Sequence, residues 1–147
     1  MDKTTVELAN KLYFDLHMGI EASEAMIPKV QNNHLKEYLN THVNKYKQIQ
    51  DDVVKQFTRS GKKPKSTHLL SRSFLWMQAQ LSAVRKSSDK EFIEAFIKGS
   101  SMGVESGQRL LNKYKKAELE IRDLVNELID LESSNMTHLE NLKTSFN

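Results

Sequence analysis

The spacing of apolar residues constrains the fold of this chain most, because they recur at alternating gaps of three and four over long stretches. Such spacing lines up side chains on one face of an α-helix. Only five glycines and two prolines occur among 147 residues, and 28% of the residues are charged. That composition is typical of long helices and not of a β-sandwich or barrel. We therefore expect an all-α protein.

The first two helices are bounded by capping and breaking residues. Thr4 and Glu7 have the spacing of a capping box, and Pro28 interrupts the helical ladder, so the first helix is predicted at about 4–27. The second helix is predicted to end at about residue 59, before Gly61. The predicted inward stripe of helix 1 is Val6, Ala9, Tyr13, Leu16, Ile20, Ser23 and Ile27, and that of helix 2 is Leu35, Leu39, His42, Tyr46, Ile49, Val53 and Phe57.

The second half of the chain predicts a short helix at 67–86 and two further long helices. Ser88 and Glu91 form a second capping box, which starts the third long helix. The boundary between the last two helices is predicted near 115–120, where neither glycine nor proline marks it. The predicted stripe of the last helix is Ile121, Leu124, Leu128, Leu131, Asn135, His138 and Leu142.

Four long helices joined by short turns favour an antiparallel bundle with up-down-up-down order. We expect one domain over residues 1–147, with the short helix lying in the connection between helices 2 and 3.

Several classes of protein are disfavoured by composition. The chain has no cysteine, which excludes disulfides, thiolate metal sites and thiol nucleophiles. Its longest aromatic-apolar run, 74–77, is far too short to span a membrane, and the N-terminus does not resemble a signal peptide. We therefore expect a cytoplasmic protein without a membrane partner. The net charge of +3 requires no nucleic acid, and the basic residues at 59–72 are interpreted as a solvated turn.

Polar residues in predicted interior positions are the first candidates for a site. His42, Asn135 and His138 stand where leucine or isoleucine would be usual. An unpaired buried polar group costs about 1–3 kcal/mol, so these side chains need partners. Histidines on facing helices, supported by carboxylates, build metal sites in bundles. The alternative is a buried histidine bonded to a tyrosine, a serine or a backbone carbonyl.

Carboxylates that could join the histidines lie on three helices. At about 100° per residue, Glu21 and Glu24 border the stripe of helix 1, and Glu132 lies one turn before Asn135. Glu105 stands roughly 160° from the inward phase of its helix and is expected to point outward. The candidate metal ligands are Glu21, Glu24, His42, Glu105, Glu132 and His138.

Three glycines spaced four apart, Gly99, Gly103 and Gly107, predict a flat strip on the third long helix. A glycine within a helix costs about 0.5–1 kcal/mol relative to alanine, so three of them need a reason. One interpretation is that the 67–86 helix, with Trp76, packs on this strip. The other is that the strip is a face for self-association or leaves room for a ligand.

The chain resembles the ferritin-like four-helix-bundle proteins, and more closely a bacterial branch of unknown function within that superfamily. The resemblance rests on the order of the helices and on a region of similar pattern. That region contains Arg72-x-x-x-Trp76-Met77, the helix starting at Ser88-Asp89, Gly103-Val104-Glu105 and Tyr114-Lys115-Lys116-Ala117.

The resemblance implies a di-iron or di-manganese site, built from a glutamate on each of two helices and a Glu-x-x-His on each of the other two. In this sequence neither Glu-x-x-His is complete. His42 is preceded three residues earlier by Leu39, and Asn135 stands three residues before His138, where the family has glutamate.

We therefore expect a non-catalytic bundle of this kind, without a cofactor, that acts through protein contacts and forms a homodimer. The alternative is a metal-binding oxidoreductase or iron-handling protein with iron or manganese.

Overall fold

A computed structural model describes residues 1–66 and 88–146 of the chain. Four long helices account for most of them: α1 (Lys3–Met26), α2 (Asn33–Arg59), α3 (Asp89–Lys113) and α4 (Leu119–Lys143). A short 3-10 turn, Ile27–Lys29, follows α1, and no strand occurs in these two ranges. The predicted all-α class and the four long helices are confirmed. The short helix predicted at 67–86 lies outside the described residues.

Capping residues set the helix boundaries. The side chain of Asp2 accepts a hydrogen bond from the Thr5 amide and caps α1, two residues before the predicted cap at Thr4. The capping box of Ser88 and Glu91 starts α3 as predicted. Gly61, with a φ of 67°, follows the end of α2, in a left-handed conformation that favours glycine. The break between α3 and α4 falls at residues 114–118, which overlaps the predicted region 115–120.

The core is formed by the inward faces of all four helices. Every residue of the stripe predicted for α2 is buried. The stripe of α1 is rotated from its prediction, because Leu8 and Leu12 are fully buried whereas Val6 and Tyr13 are only partly buried. Burial of these apolar side chains is the main source of stability in a bundle of this kind.

The stripe of α4 is partly wrong. Ile121, Leu124, Leu128 and Asn135 are buried as expected, but His138 is exposed and Leu131 is only partly buried. Val125, Glu132 and Leu139 are buried in addition. The predicted stripe and the observed stripe share every seventh residue, such as Ile121, Leu128 and Asn135. They differ in whether the residues on one side of these positions or on the other side face the core. Leucines occur on both sides, so the spacing of apolar residues alone does not distinguish the two stripes.

Side-chain contacts show which helix ends lie together. Both oxygens of the Asp89 carboxylate accept hydrogen bonds at 2.8 Å, one from the Gln31 amide and one from the Asn32 amide. Asp89 begins α3 and Asn32 caps α2, so these two helices begin at the same end of the bundle. The predicted up-down-up-down order, in which α2 and α3 begin at opposite ends, is therefore wrong. The physical reason is the length of the connection, residues 60–88, which at about 3.3 Å per residue can return along a helix of roughly 40 Å.

The helices pack mainly as two pairs, α1 with α2 and α3 with α4. The pairs meet where α2 packs on α4 and α1 packs on α3. Within the described ranges, α2 and α3 do not pack on one another. The interior between α2, α3 and α4 holds the polar residues considered next.

Candidate functional site: a polar cluster around Glu132

A single buried carboxylate lies at the centre of the polar interior. Glu132, on α4, is only 4% exposed. A carboxylate so deeply buried is costly unless polar partners satisfy it.

Three side chains from two other helices donate hydrogen bonds to the same oxygen of this carboxylate. The Tyr46 hydroxyl on α2 donates to Oε1 at 2.6 Å, and the Ser100 hydroxyl on α3 donates at 3.2 Å. His42, one turn before Tyr46, places Nε2 at 3.2 Å from Oε1, and this nitrogen donates when it carries the ring proton. The carboxylate thus holds α2, α3 and α4 together.

A second layer of hydrogen bonds leads from the carboxylate to the surface. The Asn135 side-chain amide donates to the Ser100 hydroxyl oxygen at 2.8 Å, and the Tyr38 hydroxyl donates to the Asn135 oxygen at 2.7 Å. The Tyr38 ring stacks on the His138 ring with centroids 4.0 Å apart. The buried polar residues are therefore bonded to each other in a continuous network.

Two helical glycines provide room for the cluster. A Cβ at Gly103 on α3 would collide with Oε2 of Glu132, and its carboxylate carbon would lie at 3.1 Å. A Cβ at Gly19 on α1 would lie at 3.3 Å from the ring of Tyr46. Glycine at these two positions lets the carboxylate and the phenol approach the neighbouring helix.

Burial and the carboxylate determine the ionisation of the two tyrosines. Burial, followed by the charge of Glu132, raises the pKa of Tyr46 well above its usual value. The same two causes raise the pKa of Tyr38. Both phenols are therefore protonated near neutral pH and can act as hydrogen-bond donors.

The structure brings together two of the six predicted metal ligands, His42 and Glu132. Glu21, Glu24 and Glu105 are exposed. Glu21 lies 3.9 Å from His17, and Glu24 lies 2.9 Å from Lys47 in an ion pair between α1 and α2. The outward direction expected for Glu105 is confirmed.

His138 does not point into the interior, so the expected convergence of the two histidines is wrong. The pair of inward residues three apart on α4 is Glu132 and Asn135, not Asn135 and His138. On α2 the corresponding pair is Leu39 and His42. Compared with a Glu-x-x-His on each helix, α4 has only a glutamate and α2 only a histidine at these inward positions.

Three members of the network, Tyr38, Tyr46 and Ser100, are not among the predicted site residues. Tyr46 appears only in the stripe predicted for helix 2, and Ser100 follows Gly99 directly. One feature of the sequence could have indicated Ser100. A serine next to glycines on the inward face of a helix is typical of close packing against a polar partner.

The cluster does not fit a pair of metal ions. It contains one carboxylate, whereas dimetal bundle sites use several. In the described parts of the chain, no three His, Asp or Glu side chains are grouped so that they could hold a metal ion. The hydrogen bonds from Tyr46 and Ser100 also occupy Oε1, one of the two carboxylate oxygens.

The glycine strip is divided between the interior and the surface. Gly103 meets Glu132, and a Cβ at Gly107 would lie 2.5 Å from the side chain of Ile129, so α4 covers both glycines. At Gly99 a Cβ would meet no described atom within 4 Å. At Gly103 and Gly107 the last helix therefore takes the place that was predicted for the 67–86 segment or a partner.

No protein-family model matches the chain, and no curated protein matches it significantly. Among solved structures, it is similar to the crystal structure of a DUF305 fragment from Deinococcus radiodurans. The two share 11% sequence identity with a TM-score of 0.78, over 99% of this chain and 98% of the other. At that identity the likeness concerns the fold alone. No helix within 1–66 or 88–146 has the length and apolarity required to cross a membrane.

Proposed function

We propose that this protein is a non-catalytic, ferritin-like bundle that acts through protein contacts and associates with itself. Its polar interior then has a structural role. The observation that carries this proposal is that Oε1 of Glu132 accepts hydrogen bonds from Tyr46, Ser100 and His42, so protein donors surround it.

The contacts at the helix ends support a ferritin-like arrangement. The Glu118 amide, at the start of α4, donates to the Thr5 hydroxyl oxygen near the start of α1 at 2.9 Å. Lys143, at the end of α4, lies 3.5 Å from Glu94 near the start of α3. In the arrangement we propose, α1 and α4 run in one direction and α2 and α3 in the other, so the four pairs of helices that pack most extensively are antiparallel.

The charge of the interior supports the absence of catalysis. Redox chemistry on two metal ions needs several anionic ligands to hold them, and the centre offers a single carboxylate. Its polar side chains are bonded to each other, which is the arrangement expected of a satisfied core.

Metal analysis of protein produced in iron- and manganese-replete medium tests the proposal. We expect much less than one metal ion per chain in the wild type, and no change in Glu132→Gln. Glu105→Gln is the matched control, because that carboxylate is exposed. Stoichiometric metal that is lost in Glu132→Gln and His42→Ala, but kept in Glu105→Gln, would overturn the proposal in favour of a metal-binding protein.

A further inference from the structure

We propose that the outward face of α3 is a docking surface for a second copy of this chain, and that the two α3 helices pack antiparallel around a two-fold axis. This inference rests on the self-association proposed above and names the surface responsible.

The outward face of α3 carries exposed side chains along most of the helix. We define it by its exposed residues Glu94, Lys98, Ser101, Met102, Glu105 and Arg109. At about 100° per residue these residues lie within an arc of roughly 100°, on the side opposite the core. Met102, near the middle, is 41% exposed and belongs to the few large apolar side chains of the described residues with such exposure.

The order of charges along this face is complementary to itself when reversed. If two α3 helices pack antiparallel with the axis between Ser101 and Met102, Lys98 lies opposite Glu105 of the second copy. Glu94 then lies opposite Arg109. Because a two-fold interface repeats every contact, four pairs of opposite charge form around a central contact between methionines. Parallel packing in register would place like charges together.

These charges form few contacts within the protomer. Lys98, Glu105 and Arg109 form no ion pair within its described part. The charge of Arg109 also acts on the Asp15 carboxylate of α1, where it favours the ionised form. Glu94 contacts Lys143 at 3.5 Å, but both side chains are substantially exposed, and such surface pairs are weak.

Charge reversal tests the surface. In sedimentation or light-scattering series at low salt, we expect Lys98→Glu and Glu105→Lys each to raise the dimer dissociation constant at least tenfold, since each places like charges opposite one another twice. The double variant restores opposite charges and should return the constant toward that of the wild type. Lys45→Glu, an exposed change on α2, is the matched control.

Cross-linking provides a second readout, because the chain contains no cysteine. Ser101→Cys, beside the proposed axis, should oxidise to a covalent dimer, whereas Ser134→Cys on the exposed side of α4 should not. A wild type that is monomeric at every concentration overturns both this inference and the proposed self-association. A dimer that is insensitive to the charge reversals and is not linked through Ser101→Cys overturns the α3 surface alone.

Discussion

Tyr46 illustrates how one residue can serve both the apolar core and the polar cluster. Its ring packs beside Gly19 and contacts His42 edge-on with centroids 4.5 Å apart, while its hydroxyl makes the shortest hydrogen bond to Glu132. Hydrogen bonds to charged groups contribute about 1.5–3 kcal/mol. Tyr46 therefore stabilises the carboxylate that joins three helices.

The raised pKa of Tyr46 predicts a loss of stability at alkaline pH. The folded protein holds the phenolic proton more tightly than the unfolded chain, in which tyrosine titrates near about 10. This contribution is complete below about pH 10 and is lost as the pH rises through the folded-state pKa. We expect the urea midpoint to fall above about pH 10, and Tyr46→Phe to show a smaller fall.

At neutral pH the same Tyr46→Phe variant should be less stable by about 1–3 kcal/mol, because Glu132 loses a donor. Tyr13→Phe is the control, since that ring lies on α1 and is only partly buried. Equal alkaline losses in the wild type and Tyr46→Phe would contradict the assigned role of this phenol.

At the scale of elements, the spacing between α3 and α4 depends on a glycine. The carboxylate of Glu132 lies against Gly103, so that α3 approaches α4 without an intervening Cβ. The three hydrogen bonds on Oε1 restrain the carboxylate from moving away. Gly99, one turn earlier, has no such neighbour among the described residues.

Alanine at these two glycines should therefore have opposite effects. We expect Gly99→Ala to stabilise the protein by up to about 1 kcal/mol, since alanine favours helix and the space is open. Gly103→Ala should destabilise it by about 1–3 kcal/mol, because the new Cβ displaces a restrained carboxylate. Urea unfolding measures both, and a Gly103→Ala variant as stable as Gly99→Ala would show that the carboxylate moves freely.

The limits of sequence analysis are clearest in α2 and α4. The seven residues predicted for the stripe of α2 are all buried, because apolar side chains continue the spacing from Leu35 to Phe57, and Val43 is buried in addition. In α4 the sequence predicts that Leu131 and not Glu132 faces the core, because a charged carboxylate usually faces solvent. What turns Glu132 inward is the set of donors on α2 and the space at Gly103, and neither is local to α4.

At the scale of the whole molecule, the direction of α3 distinguishes the arrangement proposed here from the one expected from sequence. The number and the bounds of the long helices follow from caps and spacing. The direction of α3 does not, because it depends on where the connection 60–88 returns. The Asp89 bonds to Gln31 and Asn32 supply that information.

Distances between spin labels test this direction, and the absence of cysteine permits selective labelling. Labels at Glu37, near the start of α2, and Glu91, near the start of α3, should lie closer together than labels at Glu37 and Lys113. The first and last turns of α3 are roughly 33 Å apart, so the two distributions should separate clearly. The reverse order of distances would restore the up-down-up-down order.

The position of Glu132 between the two helix pairs also bears on how the chain finds its alignment during folding. An apolar contact between two helices consists of similar leucine and isoleucine side chains. Shifting one helix along the other by one turn therefore costs little, and the apolar contact alone does not determine their alignment. Sliding α4 by one turn along α2 would move the carboxylate toward Leu39 or Ile49, away from its present contacts with His42 and Tyr46. Misaligned docking of the two helix pairs is thereby penalised, because it would leave a buried carboxylate with fewer hydrogen bonds.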